Sequence, residues 1–150
     1  PDGNTVKEIP LGDDFMQGSG FNANGIDAPS DGEYLIIVKS STGELYRVDP
    51  ASGEAILIDL GGDTVPNGDG ILLDGKTLYV VRNTNNEIAA VELDPGATEG
   101  EIVGTITDPG FRVPTTVAEF GNALYAVNAR FDLPEDERPT AEYDVVRVSK

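Results

Sequence analysis

Asn24, Asp69 and Thr115 stand at one position of a repeating pattern, each two residues ahead of the first apolar residue of a short strand, Ile26, Ile71 and Val117. A carboxylate beside amide and hydroxyl oxygens is hard-oxygen chemistry, suited to Ca²⁺ or another divalent cation and unsuited to soft metals. Their neighbours Asn22, Asn67 and Thr116 add oxygens or hold the first three in place. The same residues also have a purely conformational reading, because Asn24-Gly25 and Asp69-Gly70 are turn dipeptides that tolerate positive φ. Recurrence at equivalent positions of consecutive repeats is what favours a site.

The remaining inventory narrows the chemistry. The chain has no histidine and no cysteine, so Ser-His-Asp arrangements, thiolate nucleophiles, disulfides and the usual zinc ligands are excluded. Catalysis would fall to carboxylates, amides, hydroxyls, Lys or Arg. Arg130, just after a strand, reads either as an anion clamp facing the ligand or as half of a rim ion pair. Gly70 to Thr77 satisfies the P-loop pattern, but a P-loop must open a helix. Here ILLD reads as a strand and DGKT as a hairpin turn, so nucleotide binding is rejected.

The elements that would position these residues follow from self-similarity. Segments 24–50, 69–95 and 115–131 read alike, with Ile26, Ile71 and Val117 spaced by 45 and 46 residues and Leu35, Leu78 and Leu124 by 43 and 46. Periods of roughly 40 to 50 residues with several short strands each are produced by four-stranded propeller blades. Strands are expected near 25–28, 33–38, 44–48 and 55–60, then 70–73, 77–81, 87–93 and 101–106, then 116–120, 123–127 and 143–148. No sustained 3.6-residue apolar period predicts a helix. The expected fold is an all-β propeller array of about three four-stranded blades, near 22–62, 67–107 and 113–150, or half of a six-bladed ring. Residues 4–11 carry the alternation of an outer strand of a neighbouring or closing blade. Three blades cannot close alone, so the array requires either the missing N-terminal three blades of a longer polypeptide or a homodimer. The first strand of each blade lines the axis of a propeller, which converges Asn24, Asp69 and Thr115, at its entry, on one tunnel mouth. Tyr46, Tyr79 and Tyr125 read as packing between blades, and the polar insertion 132–142 as a solvated rim loop.

A net charge of −17 spread between apolar runs argues for a folded chain with an acidic surface. Such a surface repels phosphate backbones and anionic lipid, so neither nucleic acid nor membrane is an expected partner. No apolar run approaches the roughly 20 residues of a bilayer span.

FNANGID (21–27), LYRVDPASG (45–53), VPNGDGILLDGKTLYVV (65–81), VPTTVAEFGNALYAVNARF (113–131) and YDVVRVS (143–149) closely resemble the regucalcin and gluconolactonase-like superfamily of six-bladed propellers, in its C-terminal half. That resemblance implies a lactonase or esterase with a divalent metal at the tunnel mouth. It implies Asn24 and Asp69 as metal ligands, with Asp69 also the general base that activates water on a small-molecule lactone or ester. It places a Glu ligand and a further Asn in blades this chain lacks. A secreted or periplasmic location is a lean from the resemblance alone. Two other readings stand beside the hydrolase: a non-catalytic binding propeller with a structural cation, and an inactive truncated or engineered half-propeller.

Overall fold

The computed structural model describes residues 7–12, 15 and 18–150. Eleven strands form three antiparallel sheets. The first holds β1 (Ala23–Asp27), β2 (Leu35–Lys39), β3 (Glu44–Val48) and β4 (Ala55–Leu57) in that spatial order. The second holds β5 (Gly68–Asp74), β6 (Thr77–Arg82), β7 (Glu87–Leu93) and β8 (Gly100–Thr107). The third holds β9 (Pro114–Phe120), β10 (Ala123–Asn128) and β11 (Val145–Ser149). Each sheet is thus a meander of sequential neighbours, the arrangement of a partial β-propeller.

Two tight hairpins recur at the same place in consecutive sheets. Asp74 pairs with Thr77 and Phe120 with Ala123, leaving two-residue loops that begin with Gly75 and Gly121 at φ of 61° and 63°. Glycine supplies that backbone without steric cost. The P-loop reading is excluded in the same stroke: Gly70 lies inside β5, and Gly75 turns into β6 rather than a helix.

Alternation along each strand sends side chains to both faces, and consecutive sheets bury them against each other. Between the first and second sheets lie Ile36, Val38 and Leu45 against Ile71, Leu78, Val80 and Val91. Between the second and third lie Tyr79, Val81 and Ile88 against Val117, Leu124, Ala126 and Val148. Each buried Val, Leu or Ile contributes about 1.5–3 kcal/mol, so these two layers hold the array together. Tyr79 packs between sheets, while Tyr46 belongs to a third cluster on the far face of the first sheet, where Phe15 meets its ring edge-on at 4.9 Å.

The first and second sheets are also pinned through the backbone. At the outer edge Asp59 bridges to Glu99, with Asp59 N donating to Thr98 O and Gly100 N to Asp59 O, both at 2.9 Å. Nearer the axis, Leu73 N donates to Asp27 Oδ2 at 2.7 Å. Pairing into Asp59 is why β4 stops at Leu57 instead of running to residue 60.

The segment expected as an outer strand at 4–11 is corrected where it is described. Residues 7–12 carry no strand; they lie beside the turn after β3, with Gly12 N donating to Gly53 O at 2.9 Å and Lys7 Nζ to Ala51 O at 3.0 Å. Residues 4–6 lie outside the described residues.

Candidate functional site

Asn24 lies in β1, Asp69 in β5 and Thr115 in β9, the inner strands of the three sheets. The glycines that follow the first two decide how closely these strands approach. A Cβ on Gly25 would collide with the Asp69 carbonyl, and one on Gly70 would stand 2.7 Å from the Thr115 carbonyl oxygen. The Asn-Gly and Asp-Gly dipeptides therefore serve strand-to-strand contact within β structure. In the third repeat Thr116 replaces the glycine; its side chain is exposed, and its Oγ1 packs on Gly70.

Asn24, Asp69 and Thr115 line one cavity of about 700 Å³, together with Asn67, Ser40, Asn83, Thr84, Phe21, Ala23, Ala129 and Phe131. Asn83 Nδ2 donates to Asp69 Oδ2 at 3.0 Å, and the Asn24 side chain hydrogen-bonds the same carboxylate. Asp69 is half-buried, and desolvation raises its pKa above the ordinary 3.8 despite the two amides, which favour the charged form. Among the described residues no Lys or Arg lines the cavity. The carboxylate has amide dipoles for company and no cation.

The supporting shell is built from the loops at the same end of the sheets. Asn67 has left-handed backbone, φ 61°, donates from its N to Ser40 O at 2.9 Å, and its Nδ2 donates to Asn85 Oδ1 at 2.9 Å. Asn83 N donates in turn to Asn67 O, and Arg82 Nε to Pro66 O. Val113, two residues before Thr115 as Asn67 is before Asp69, is also left-handed at φ 55°, held by its N–H to Asn86 Oδ1 at 2.7 Å. A β-branched residue in that region is strained, and such strain gathers where surrounding structure fixes a functional geometry.

Three other sequence candidates fall outside the cavity lining. The Asn22 carboxamide braces the preceding loop, accepting from Gly18 N at 2.8 Å and donating to the Gly18 and Gly20 carbonyls. Thr116 is exposed and lies against Gly70 of β5 rather than in the lining. Of the two readings of Arg130 the structure has the ion pair: its guanidinium pairs with Asp132 at 3.1 Å and donates to Glu142 O, so it points into its own loop.

Sequence reasoning missed the second ring. Ser40, Asn83 and Ala129 each fall five residues after the aligned leucines Leu35, Leu78 and Leu124, and all three line the cavity. The offset was visible in the repeats; only Asn83 has a side chain that reaches Asp69.

Among the described residues no three His, Cys, Asp or Glu side chains gather as a metal site. The side-chain oxygens in the described lining are the Asp69 carboxylate, the Asn24, Asn67 and Asn83 amides and the Ser40, Thr84 and Thr115 hydroxyls, with Asn83 turning its Nδ2 to Asp69 and its Oδ1 accepting from Thr84 N. These fit part of a Ca²⁺ shell, which takes 6 to 8 oxygens, and leave the rest to water or to residues beyond this chain.

A luciferin-regenerating enzyme shares this architecture with TM-score 0.61 and 20% identity, over 86% of this chain and 45% of its own. That likeness shows the fold, a partial β-propeller. A hydrazine synthase of Kuenenia stuttgartiensis matches with TM-score 0.57 and 22% identity, over 85% of this chain and 34% of its own. A functionally unknown protein of Desulfotomaculum acetoxidans DSM 771 matches with TM-score 0.50 and 20% identity, over 73% and 36%. The chain spans less than half the length of each. No family model and no curated protein matches it. The propeller likeness carries the fold; the chemistry rests on the residues above.

Proposed function

We propose that the cavity is the hydrolytic site of a divalent-cation-dependent lactonase or esterase, with Ca²⁺ the favoured ion. The observation that supports it best is the half-buried Asp69 carboxylate, held by two amides at the meeting point of the three inner strands and lacking a cationic side chain. A bound divalent ion would supply carbonyl polarisation at this point. Asp69 takes a proton from the attacking water, a task helped by a pKa raised toward working pH. Asn83 occupies Oδ2 and fixes the carboxylate plane, and Asn24 restrains it from β1. Phe21, Ala23, Ala129 and Phe131 supply apolar lining that lowers the local dielectric.

The site gains its remaining ligands when the ring is complete. Sheet three presents Phe120, 79% exposed, with Val127 and Val145 on the face turned away from sheet two, and sheet one presents Ile26 and Leu57 on its far face. The same two kinds of face meet at both internal junctions, so sheet three carries an uncovered half-junction, and sheet one a half-junction that Leu11 and Phe15 cover in part. A second copy, or three further sheets on the same polypeptide, would cover both.

A second reading, a non-catalytic propeller holding a structural cation, is favoured by the presence of one carboxylate among the described residues of the lining. Light scattering with and without millimolar Ca²⁺, paired with a lactone and ester hydrolysis assay of wild type and Asp69→Asn, tests both. The hydrolase reading expects Ca²⁺-dependent turnover abolished by Asp69→Asn, and a mass twice 15.8 kDa if a second copy closes the ring. Ca²⁺ binding with no turnover of any ester or lactone, in a ring of six sheets, would leave the structural cation.

A further inference from the structure

The loop between β10 and β11 is long, polar in composition and mostly exposed, and it starts at the cavity, which Ala129 and Phe131 line. Arg138 Nε donates to Leu133 O at 2.9 Å, Tyr143 Oη to Arg138 O at 3.0 Å, and Arg130 closes the loop base through Asp132 and Glu142. These bonds set the Arg138 guanidinium over the Phe131 ring, 5.3 Å from its centroid. Phe131 lines the cavity while remaining 55% exposed, and Phe21, from the segment before β1, does the same at 81%. Two large aromatic faces left open beside a polar floor, one of them braced by a cation and a hydrogen-bonded loop, are the signature of a ligand wall.

The electrostatics decide what kind of ligand. Arg130 is withdrawn into the loop, no Lys or Arg lines the cavity among the described residues, and the floor carries the Asp69 carboxylate within a chain of net charge −17. An anionic substituent such as a sugar-acid carboxylate or a phosphate finds no side-chain clamp on this wall, and the bound cation is left to the carbonyl that it would polarise. Against the Phe21 and Phe131 faces a polyhydroxylated ring gains no hydrogen bond from the protein, whereas a planar apolar substituent removes aromatic surface from water there.

Resting on the hydrolase reading above, we propose that the cavity selects a neutral lactone or ester bearing an apolar, planar substituent, with Phe131 the principal specificity residue, Phe21 the second, and Arg138 a positioning residue for Phe131.

Calorimetric titration of the full chain with γ-phenyl-γ-butyrolactone and with D-glucono-δ-lactone tests this by binding, in the presence of Ca²⁺. The phenyl probe is expected to bind at least about tenfold more tightly, a difference of 1.4 kcal/mol. Phe131→Ala and Phe21→Ala should each weaken the phenyl probe by about three- to tenfold and leave the sugar lactone unchanged. Arg138→Ala should weaken it less, with Arg138→Lys restoring part of the loss because the cation over the ring is kept; a merely structural role would lower melting temperature without this probe dependence. Phe21, the more exposed of the two aromatics, keeps the test open if Phe131→Ala folds poorly. Equal affinity for the two probes, absence of phenyl-probe binding, or phenyl binding indifferent to both Phe substitutions overturns the proposal. Asp69→Asn separates the two readings: it should abolish turnover while keeping phenyl-probe affinity within about threefold, so a failed hydrolase reading leaves the wall measurable.

Discussion

Asn83 Nδ2 donates to Asp69 Oδ2 across 3.0 Å, from a turn fourteen residues downstream that is itself stitched to Asn67. The bond stabilises the charged carboxylate against the desolvation that raises its pKa. Asn83→Leu removes that donor and adds apolar volume, so the Asp69 titration midpoint should move further upward. Protons compete with cations for the same oxygens, so Ca²⁺ affinity at mildly acid pH should fall with it. A ¹³C titration of the Asp69 carboxyl in both proteins checks this, and an unchanged midpoint would mean that the contact does not hold in solution.

Asp69 should also cost stability at neutral pH. Its folded pKa lies above the ordinary 3.8, so between 3.8 and the raised value the folded state binds more protons than the unfolded state. Stability therefore falls as pH rises through that window, and the penalty persists at pH 7. Asp69→Asn should melt higher than wild type at pH 7, with the difference shrinking as pH falls toward 3.8. A variant that is less stable at pH 7 would show that the ionised carboxylate contributes more through Asn24 and Asn83 than it loses by burial. Gain of stability on loss of function is the usual mark of a site strained for its task.

The repeat spacing made the strands legible because each is a short apolar run bounded by turn residues, and the structure differs mainly at their ends. What spacing could not show was lateral approach. Gly25 and Gly70 look like turn residues in the sequence, and only the neighbouring strand explains them: carbonyl oxygens occupy the space where a side chain would stand. Arg130 stayed open between clamp and ion pair for a similar reason, since only the path of its loop brings Asp132, two residues on, against the guanidinium. Asn83 was hidden in the opposite sense, because its value lies in a contact with β5 and not in its own surroundings.

That lateral packing is directly testable at two glycines with two others as controls. Gly25→Ala and Gly70→Ala place a methyl on rigid backbone of the adjacent strand, and each should destabilise by about 1–3 kcal/mol or more. At Gly18 and Gly104 an added Cβ meets nothing within 4 Å and the backbone is not left-handed. Alanine there should be neutral or stabilising by up to about 1 kcal/mol, through the unfolded chain. Urea denaturation of the four variants checks the contrast; equal effects at all four would show that β1, β5 and β9 do not pack as described.

Asn128, the last residue of β10, is fully buried, and its amide ties the third sheet to the cavity's aromatic wall. Its Oδ1 accepts from Arg112 N at 2.7 Å, while Nδ2 donates to Gly110 O at 2.8 Å and to Asp144 Oδ1 at 2.6 Å. The bonds join the approach to β9, the end of β10 and the residue before β11, the three points from which Ala129 and Phe131 are hung. Asn128→Ala leaves a buried N–H and a carbonyl unpaired and opens a void, and should destabilise by about 2–4 kcal/mol. Asn128→Asp keeps the acceptor for Arg112 N but sets a carboxylate against Gly110 O and the Asp144 carboxylate. Burial and Asp144 would raise the new group's pKa in the folded state, so this variant should regain stability as pH falls toward that value and lose it as pH rises. Denaturant midpoints at pH 7 and pH 5 separate the cases: the Ala defect should change little between them, whereas the Asp defect should shrink at the lower pH. An Asp variant equally impaired at both would mean that its loss comes from the missing donors alone.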